Sequence, residues 1–169
     1  MKTVYWMAAA AVACVLSADA AFDARPFSIA FYTSRDGAID VAGIRLNLPR
    51  GHNDSVTGLD LGVIGQTTYL YGIQANALAN VVKDRAGAIQ ASLYNDVDGL
   101  LTGIQIGGWN NARCCEGLQV GILNLSDEFY GGQIGFINRA NLLSGFQIGV
   151  INVIRGSRIP FIPIVNIGF

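Results

Sequence analysis

Charged residues are scarce in this chain of 169 residues, at 14% of the sequence against roughly 25% in an ordinary soluble domain. The 11 lysine and arginine residues nearly cancel the 12 aspartate and glutamate residues, and no basic cluster occurs, so an obvious nucleic-acid binder is excluded. With 51% hydrophobic residues, the chain is too apolar for a disordered tail. Its length fits one domain with a core of its own.

Residue types that carry out chemistry are also few. The single histidine, His52, and the lack of a CxxC motif leave too few ligands for a zinc site. No P-loop, GxSxG or HExxH motif occurs. The segment Asn95-Asp96-Val97-Asp98-Gly99 looks like the start of a calcium loop, but the later EF-hand ligands are missing, so we interpret it as a solvated turn. We predict that the protein is not an enzyme and that it has no catalytic residue, metal or cofactor.

Cysteine offers no covalent framework. Of the three cysteines, Cys14 lies near the N-terminus, and Cys114 and Cys115 are neighbours. A disulfide between adjacent residues is strained, because the usual Cα separation is about 5.5 Å. We therefore interpret Cys114 and Cys115 as two small residues at a turn.

The first twenty residues have the three parts of a secretory signal peptide. Met1 and Lys2 form the positive end, residues 3–16 form an uncharged apolar run, and Ala18-Asp19-Ala20 forms a cleavage site. The run is shorter than the roughly 20 residues of a transmembrane helix. In an alternative interpretation, Cys14 belongs to a loose lipobox and becomes lipidated. Either way, we predict export and exclude residues 1–20 from the fold.

Glycine, by contrast, is abundant, at 21 residues, and much of it belongs to an internal repeat. Four copies, GIQIGGWN, GLQVGILN, GGQIGFIN and GFQIGVIN, begin 14 residues apart at Gly103, Gly117, Gly131 and Gly145. Weaker copies begin at Gly58, Gly72 and Ala88. A fixed period of this kind is typical of a repeat protein. We predict an N-terminal β segment at 21–57, a β-repeat array at 58–158 and a capping strand at 159–169.

Each unit has the pattern of a strand followed by a turn. In GLQVGILN, apolar Leu118, Val120 and Ile122 alternate with other residues, and this period of two is typical of a strand. Frequent glycine disfavours a helix by about 1 kcal/mol per residue. The segments that follow, NARCCE, LSDEFY and RANLLS, have the composition of turns. We therefore predict an all-β protein built from units of about 14 residues.

Two architectures fit such units, and we favour a β-solenoid, in which the chain coils and each unit stacks on the last. Like side chains would then form ladders, with amides bonding along the stack and aliphatic side chains such as Leu118 filling the inside. The predicted ladder residues are Gln105, Gln119, Gln133, Gln147, Gly107, Gly121, Gly135, Gly149, Asn110, Asn124, Asn138 and Asn152.

The alternative is a small antiparallel meander or an outer-membrane β-barrel of about ten strands. Residues 103–169 carry few charged side chains, and the chain ends on Phe169 after alternating apolar residues, as the last strand of such a barrel does. Against it, the outward apolar set of each unit is shorter than the 9–11 residues with which a strand spans a bilayer.

The chain also resembles a known group of proteins. The stretch VAGIRLNLPRGHNDSVTGLDLGVIG (41–65), the GLQVGILN-type repeats and the ending PFIPIVNIGF (160–169) are similar to a bacterial surface-repeat family of exported proteins and lipoproteins without an established activity. The resemblance implies export and a site in the cell envelope. More narrowly, Gln133-x-Gly135-x-x-Asn138-x-Ala140 is similar to the core of the curlin repeat of curli fibres.

Together these features predict an exported cell-envelope protein with a structural or adhesive role. The alternative function is an outer-membrane pore or anchor. The expected partners are the outer membrane, another component of the cell surface, or further copies of the chain, and nucleic acid is not expected.

Overall fold

The computed structural model describes residues 25–30 and 40–169, and they form strands and no helix. The elements are β1 (Arg25–Ala30), β2 (Val41–Gly149), β3 (Ile151–Ile154) and β4 (Ile164–Gly168). The all-β prediction is confirmed. In the described part of the chain, no helix has the length and apolar character needed to cross a membrane. The predicted signal peptide, with Cys14, lies outside the described residues.

β2 folds back on itself many times. Its 109 residues would reach about 360 Å if they were fully extended. Instead, the side-chain amides of Gln105 and Gln119, 14 residues apart, lie 2.8 Å from each other, and those of Asn110 and Asn124 are bonded at the same offset. If the two stretches ran antiparallel, a residue further along one stretch would pair with a residue further back in the other. Here both residue numbers increase together, with the separation staying at 14. Successive stretches of β2 therefore run parallel.

The shorter strands extend this parallel sheet at its two ends. β1 pairs in parallel with the start of β2, placing Phe27 beside Ile44, and β3 pairs in parallel with the end of β2. Among the described residues, antiparallel pairing occurs where β4 joins β2 and at one bridge between Val153 and Phe161. The interpretation of successive units as antiparallel strands is therefore wrong for residues 41–154.

The first glycine of each unit allows neighbouring units to approach closely. Gly103, Gly117, Gly131 and Gly145 have φ angles between +134° and +148°, which side-chain-bearing residues rarely adopt. A Cβ atom on Gly117 would overlap the carbonyl oxygen of Gly103. Glycine at this position is thus required both by the backbone angle and by the contact between units.

The alternating residues face the opposite way from the prediction. Gln119 is fully buried, whereas Ile122 is 67% exposed, and Leu118 and Val120 lie at the outer side with it. The expectation that aliphatic side chains such as Leu118 fill the inside is therefore wrong. The glutamine can be buried because its amide donates to Gln105 in the preceding unit and accepts from Gln133 in the next, which offsets the cost of desolvating it.

The apolar core comes from the segments that had been predicted as turns. Cys115 and Phe129, from NARCCE and LSDEFY, are buried in one hydrophobic cluster with Leu101 and Leu143. Asn95 and Val97 are also fully buried within β2, so the solvated turn predicted at 95–99 is wrong. These segments belong to β2, and every second or third of their side chains is buried. Their composition is that of turns, and it did not reveal this pattern of burial.

Candidate functional site: the buried amide ladders

The four predicted glutamines form one continuous hydrogen-bonded row. Gln119 Nε2 donates to Gln105 Oε1 at 2.8 Å, Gln133 Nε2 to Gln119 Oε1 at 2.7 Å, and Gln147 Nε2 to Gln133 Oε1 at 2.7 Å. All four side chains are fully buried. Every bond points the same way, from the donor in one unit to the acceptor in the preceding unit.

The four predicted asparagines form a second row that points in the opposite direction. Asn110 Nδ2 donates to Asn124 Oδ1 at 2.8 Å, and Asn124 and Asn138 donate onward in the same way. Each of these amides also donates to a backbone carbonyl in the next unit, as Asn124 does to Ile134 at 3.0 Å. Because the two rows are opposed, their aligned dipoles offset each other inside the protein.

The glycine two residues after each ladder glutamine makes room for the asparagine row. The predicted residues Gly107, Gly121, Gly135 and Gly149 all occupy this position. A Cβ atom on Gly121 would lie 2.6 Å from Asn110 Nδ2 and would also overlap the carbonyl oxygen of Gly107. The spacing Gln-x-Gly-x-x-Asn thus has a physical reason, since glutamine and asparagine point inward and the glycine between them leaves space for the neighbouring amide.

Both rows continue upstream of the predicted residues. Gln105 donates to Gln90 at 3.0 Å, and Gln90 donates to Gln74 at 2.8 Å. Asn80 donates in turn to Asn95 at 2.8 Å. The sequence carried a sign of this, because Gln74 and Gln90 stand two residues after the starts of the degenerate copies at 72 and 88.

The glutamine row ends in a buried ion pair, which the sequence analysis missed. Gln74 Nε2 donates to Asp60 Oδ2 at 2.7 Å, and Arg45 Nε donates to Asp60 Oδ1 at 2.9 Å. Arg45 Nη2 and Asn47 Nδ2 each reach the same carboxylate at 2.5 Å, and Arg45 Nη1 donates to Asn53 at 2.9 Å. Arg45, Asp60 and Gln74 are fully buried. Asp60 therefore occupies a ladder position in which a charged side chain replaces glutamine.

These buried groups are engaged with one another and offer little reactive chemistry. No group of three or more His, Cys, Asp or Glu residues within 25–30 and 40–169 could hold a metal ion. Burial raises the pKa of the Cys115 thiol to about 12, and burial, with a smaller effect from Glu128, raises the pKa of Cys114. Both thiols are weak nucleophiles at neutral pH because little thiolate forms.

The outward side of the same strands forms an uninterrupted apolar surface, here called the apolar face. It consists of the residues one, three and five positions after the first residue of each unit, for units that begin at 43, 58, 72, 88, 103, 117, 131 and 145. Every one of these positions holds Ile, Leu, Val, Phe, Ala or Gly. β1 extends the face with Phe27 and Ile29, and β4 extends it with Val165 and Ile167.

No protein-family model matches this chain, and neither a curated protein nor a solved structure matches it. The amide ladders, the buried ion pair and the apolar face are therefore the features from which a function can be inferred.

Proposed function

We propose that this protein is an exported β-solenoid of the bacterial cell envelope with a non-enzymatic, structural or adhesive role. In this proposal the chain coils so that each unit of 14 to 16 residues makes one turn. The observation that carries the proposal is the pair of amide ladders, in which like residues of successive units bond to one another across 14 to 16 residues. A protein of this type has a rigid body and presents extended flat surfaces to a partner.

The buried polar groups support a structural role over a catalytic one. The ladder amides use their donors on neighbouring units and on the backbone, so they hold the stack together and face no ligand. A buried amide that lost its partner would cost about 1–3 kcal/mol, and the ladders therefore fix the register between units. The surface that remains for a partner is the outside of the sheet.

Export and an envelope location are supported by the sequence. Residues 1–20 have the pattern of a signal peptide, and the repeats resemble those of exported surface proteins. The adhesive role belongs to the same proposal, because the stacked units present long, flat outer surfaces through which such a protein would contact a partner.

Deletion of one whole unit tests the proposal. Removing residues 117–130 joins Glu116 to Gly131 and brings Gln105 next to Gln133 in the ladder. A solenoid should then fold as a shorter protein, with the same circular dichroism per residue and a somewhat lower free energy of unfolding. As the matched control, removal of residues 117–123, half a unit, should abolish the fold because it places inward residues outward.

The same variants, expressed with residues 1–20 in bacterial cells, test location. We expect the intact chain and the whole-unit variant to be processed and to sediment with the cell envelope. Recovery of unprocessed chain from the cytosol, or loss of all β signal when 117–130 is deleted, would contradict the proposal.

A further inference from the structure

We propose that the apolar face binds the surface of a lipid bilayer, with its side chains at the boundary between headgroups and acyl chains. The inference rests on the proposed function, in which the stacked units form one rigid body, and it names the partner as lipid. The binding is interfacial, so the sheet lies on the membrane and does not cross it.

The size of the face requires a partner. Ten neighbouring strands about 4.8 Å apart, each contributing about five residues of 3.3 Å, give an apolar surface of roughly 700 Å². The largest apolar patch on an ordinary soluble monomer is about 300–600 Å². Apart from the buried Gly132, the members are half-buried or exposed, and Ile106 is 48% and Phe136 55% exposed.

The composition of the face favours lipid over a second protein copy. An interface between proteins carries about one hydrogen bond per 100–200 Å², so a protein partner would call for several polar groups on this area. The face has no polar side chain at these positions. The charged residues between 103 and 154 all stand at other positions of their units: Arg113, Glu116, Asp127, Glu128 and Arg139. Without polar groups the face cannot fix the orientation of a protein partner. Fluid acyl chains need no such orientation, so the face is better suited to lipid.

Two aromatic side chains with polar tips stand at each long border of the face, among polar and aliphatic residues. Trp109 and Tyr94 follow the face directly on one side, with ring centroids 5.9 Å apart in an edge-on contact. Tyr71 and Tyr130 stand immediately before the first glycine of the next unit, on the other side. Tryptophan and tyrosine concentrate at membrane–water interfaces, where the ring is apolar and its tip is hydrated. This border is the second observation that favours lipid.

The backbone of the face is compatible with an apolar solvent. An unpaired peptide group in lipid costs several kcal/mol, which excludes most exposed strands from membranes. Here the strands under the face pair with their neighbours on both sides, and β1 and β4 cover the first and last units. The backbone of the eight units can therefore enter the acyl-chain boundary with its hydrogen bonds intact, whereas β1 and β4 are edge strands of the described sheet and their outer edges would have to stay hydrated.

Flotation with phosphatidylcholine vesicles tests the proposal directly. The full chain should float with these uncharged vesicles, equally in low and high salt, because the attraction is apolar. The double substitution Ile106→Lys with Ile134→Lys places two charges in the centre of the face, and we expect it to weaken binding by about tenfold or more. The matched control, Glu128→Gln with Leu142→Lys, raises the net charge by the same amount at two exposed positions away from the face and its borders, and should bind like the natural chain.

The comparison between variants isolates the face from the rest of the chain. Residues 1–20 are the same in these variants. If they were responsible for binding, the variant with Ile106→Lys and Ile134→Lys would still float with the vesicles, and this result would overturn the proposal. If that variant does not fold by circular dichroism, Ile122→Lys replaces it, because Ile122, at 67% exposed, is the more exposed position.

Tryptophan fluorescence locates the border. Trp6→Phe leaves Trp109 as the one tryptophan of the chain. Vesicles should shift its emission to the blue, and lipids brominated near the headgroup should quench it more than lipids brominated near the chain end. Equal emission with and without vesicles would overturn the proposal.

Failure here is distinguishable from failure of the proposed function. If the whole-unit deletion folds but the chain stays at the bottom of the gradient, the solenoid stands and lipid is the wrong partner. A dimer in sedimentation velocity that Ile106→Lys with Ile134→Lys dissolves, without vesicle binding, would assign the face to a second copy instead.

Discussion

Residues 43–102 and residues 103–154 build the same sheet with different regularity. In the C-terminal segment each unit has 14 residues, whereas ladder partners in the N-terminal segment are 14 to 16 residues apart. The ladder geometry hardly changes, since Gln90 bonds Gln74 across 16 residues at 2.8 Å and Gln119 bonds Gln105 across 14 residues at 2.8 Å. Register is therefore held by the inward side chains, and the extra residues are accommodated between ladder positions.

The two segments also end their glutamine row differently. At the N-terminal end, Gln74 donates to the carboxylate of Asp60, so the aligned N–H groups point at a negative charge. At the C-terminal end, Gln147 pairs in register with Asn166 of β4, but Gln147 Oε1 and Asn166 Nδ2 are buried without a hydrogen bond. At the charged end one atom, Asn47 Oδ1, is buried without a hydrogen bond, against two at the C-terminal end, and we expect the charged end to anchor the irregular segment.

The largest expected effect comes from breaking that charged end. Asp60→Ala leaves the Arg45 guanidinium buried without its partner, and we expect the free energy of unfolding to fall by about 3–5 kcal/mol in urea titrations. Lys83 and Asp98 provide the matched control, because their side chains are 47% and 43% exposed. Asp98→Ala should cost less than about 1 kcal/mol.

A second control separates the lost charge partner from the lost packing. Arg45→Met with Asp60→Leu removes both charges and should recover part of the stability that Asp60→Ala loses, because Gln74 and Asn47 still lack the carboxylate to which they donate. Equal losses for Asp60→Ala and Asp98→Ala would show that the ion pair does not anchor the N-terminal segment.

A smaller effect is expected from filling a ladder glycine in the regular segment. Gly121→Ala places a methyl group 2.6 Å from Asn110 Nδ2 and against the Gly107 carbonyl, so we expect a loss of about 1–3 kcal/mol or more in thermal or urea unfolding. Gly87→Ala in the irregular segment is the control, because its nearest contact is the Tyr71 ring at 3.1 Å, which can move.

The coupling between glycine and asparagine can be measured in the same series. If the methyl group acts through the amide row, Gly121→Ala with Asn110→Ala should cost less than the sum of the single changes. Strict additivity would mean that the glycine is needed for the backbone contact alone.

The sequence predicted the ladders better than it predicted what lies inside. Gln119 and Asn124 could be found because a strict period places like residues side by side in any stacked arrangement. Their burial could not be predicted in this way. A single glutamine is normally exposed to solvent, and it can be buried here because an identical amide one unit away forms a hydrogen bond with it. Asp60 was missed for the same reason, because its partner Arg45 sits 15 residues away in a degenerate copy. The parallel direction depended on pairing, which the period alone does not reveal.

The smallest expected effect concerns Cys115, which stands in the regular segment where the next units have Phe129 and Leu143. Burial raises the pKa of its thiol from 9.0 to about 12, whereas in the unfolded chain the thiol ionises near its ordinary value. Between these values the folded state holds a proton that the unfolded state has lost, so stability is unaffected below pH 9 and falls as the pH rises above it.

The slope of this fall is at most about 1.4 kcal/mol per pH unit. Other groups titrate in the same range, so the informative quantity is the difference between the natural chain and Cys115→Val in urea unfolding from pH 8 to 10.5. Cys115→Val should lose the extra slope, because valine keeps the site apolar and has no proton to release. If the free energy of unfolding fell by the same amount with pH in both proteins, the thiol would have an ordinary pKa and would be accessible to water. Alkylation of Cys115 in the folded chain at pH 8 tests this accessibility directly. If Cys115 is instead protected from alkylation, water does not enter the core at this position, although cysteine is smaller there than Phe129 and Leu143 in the next units.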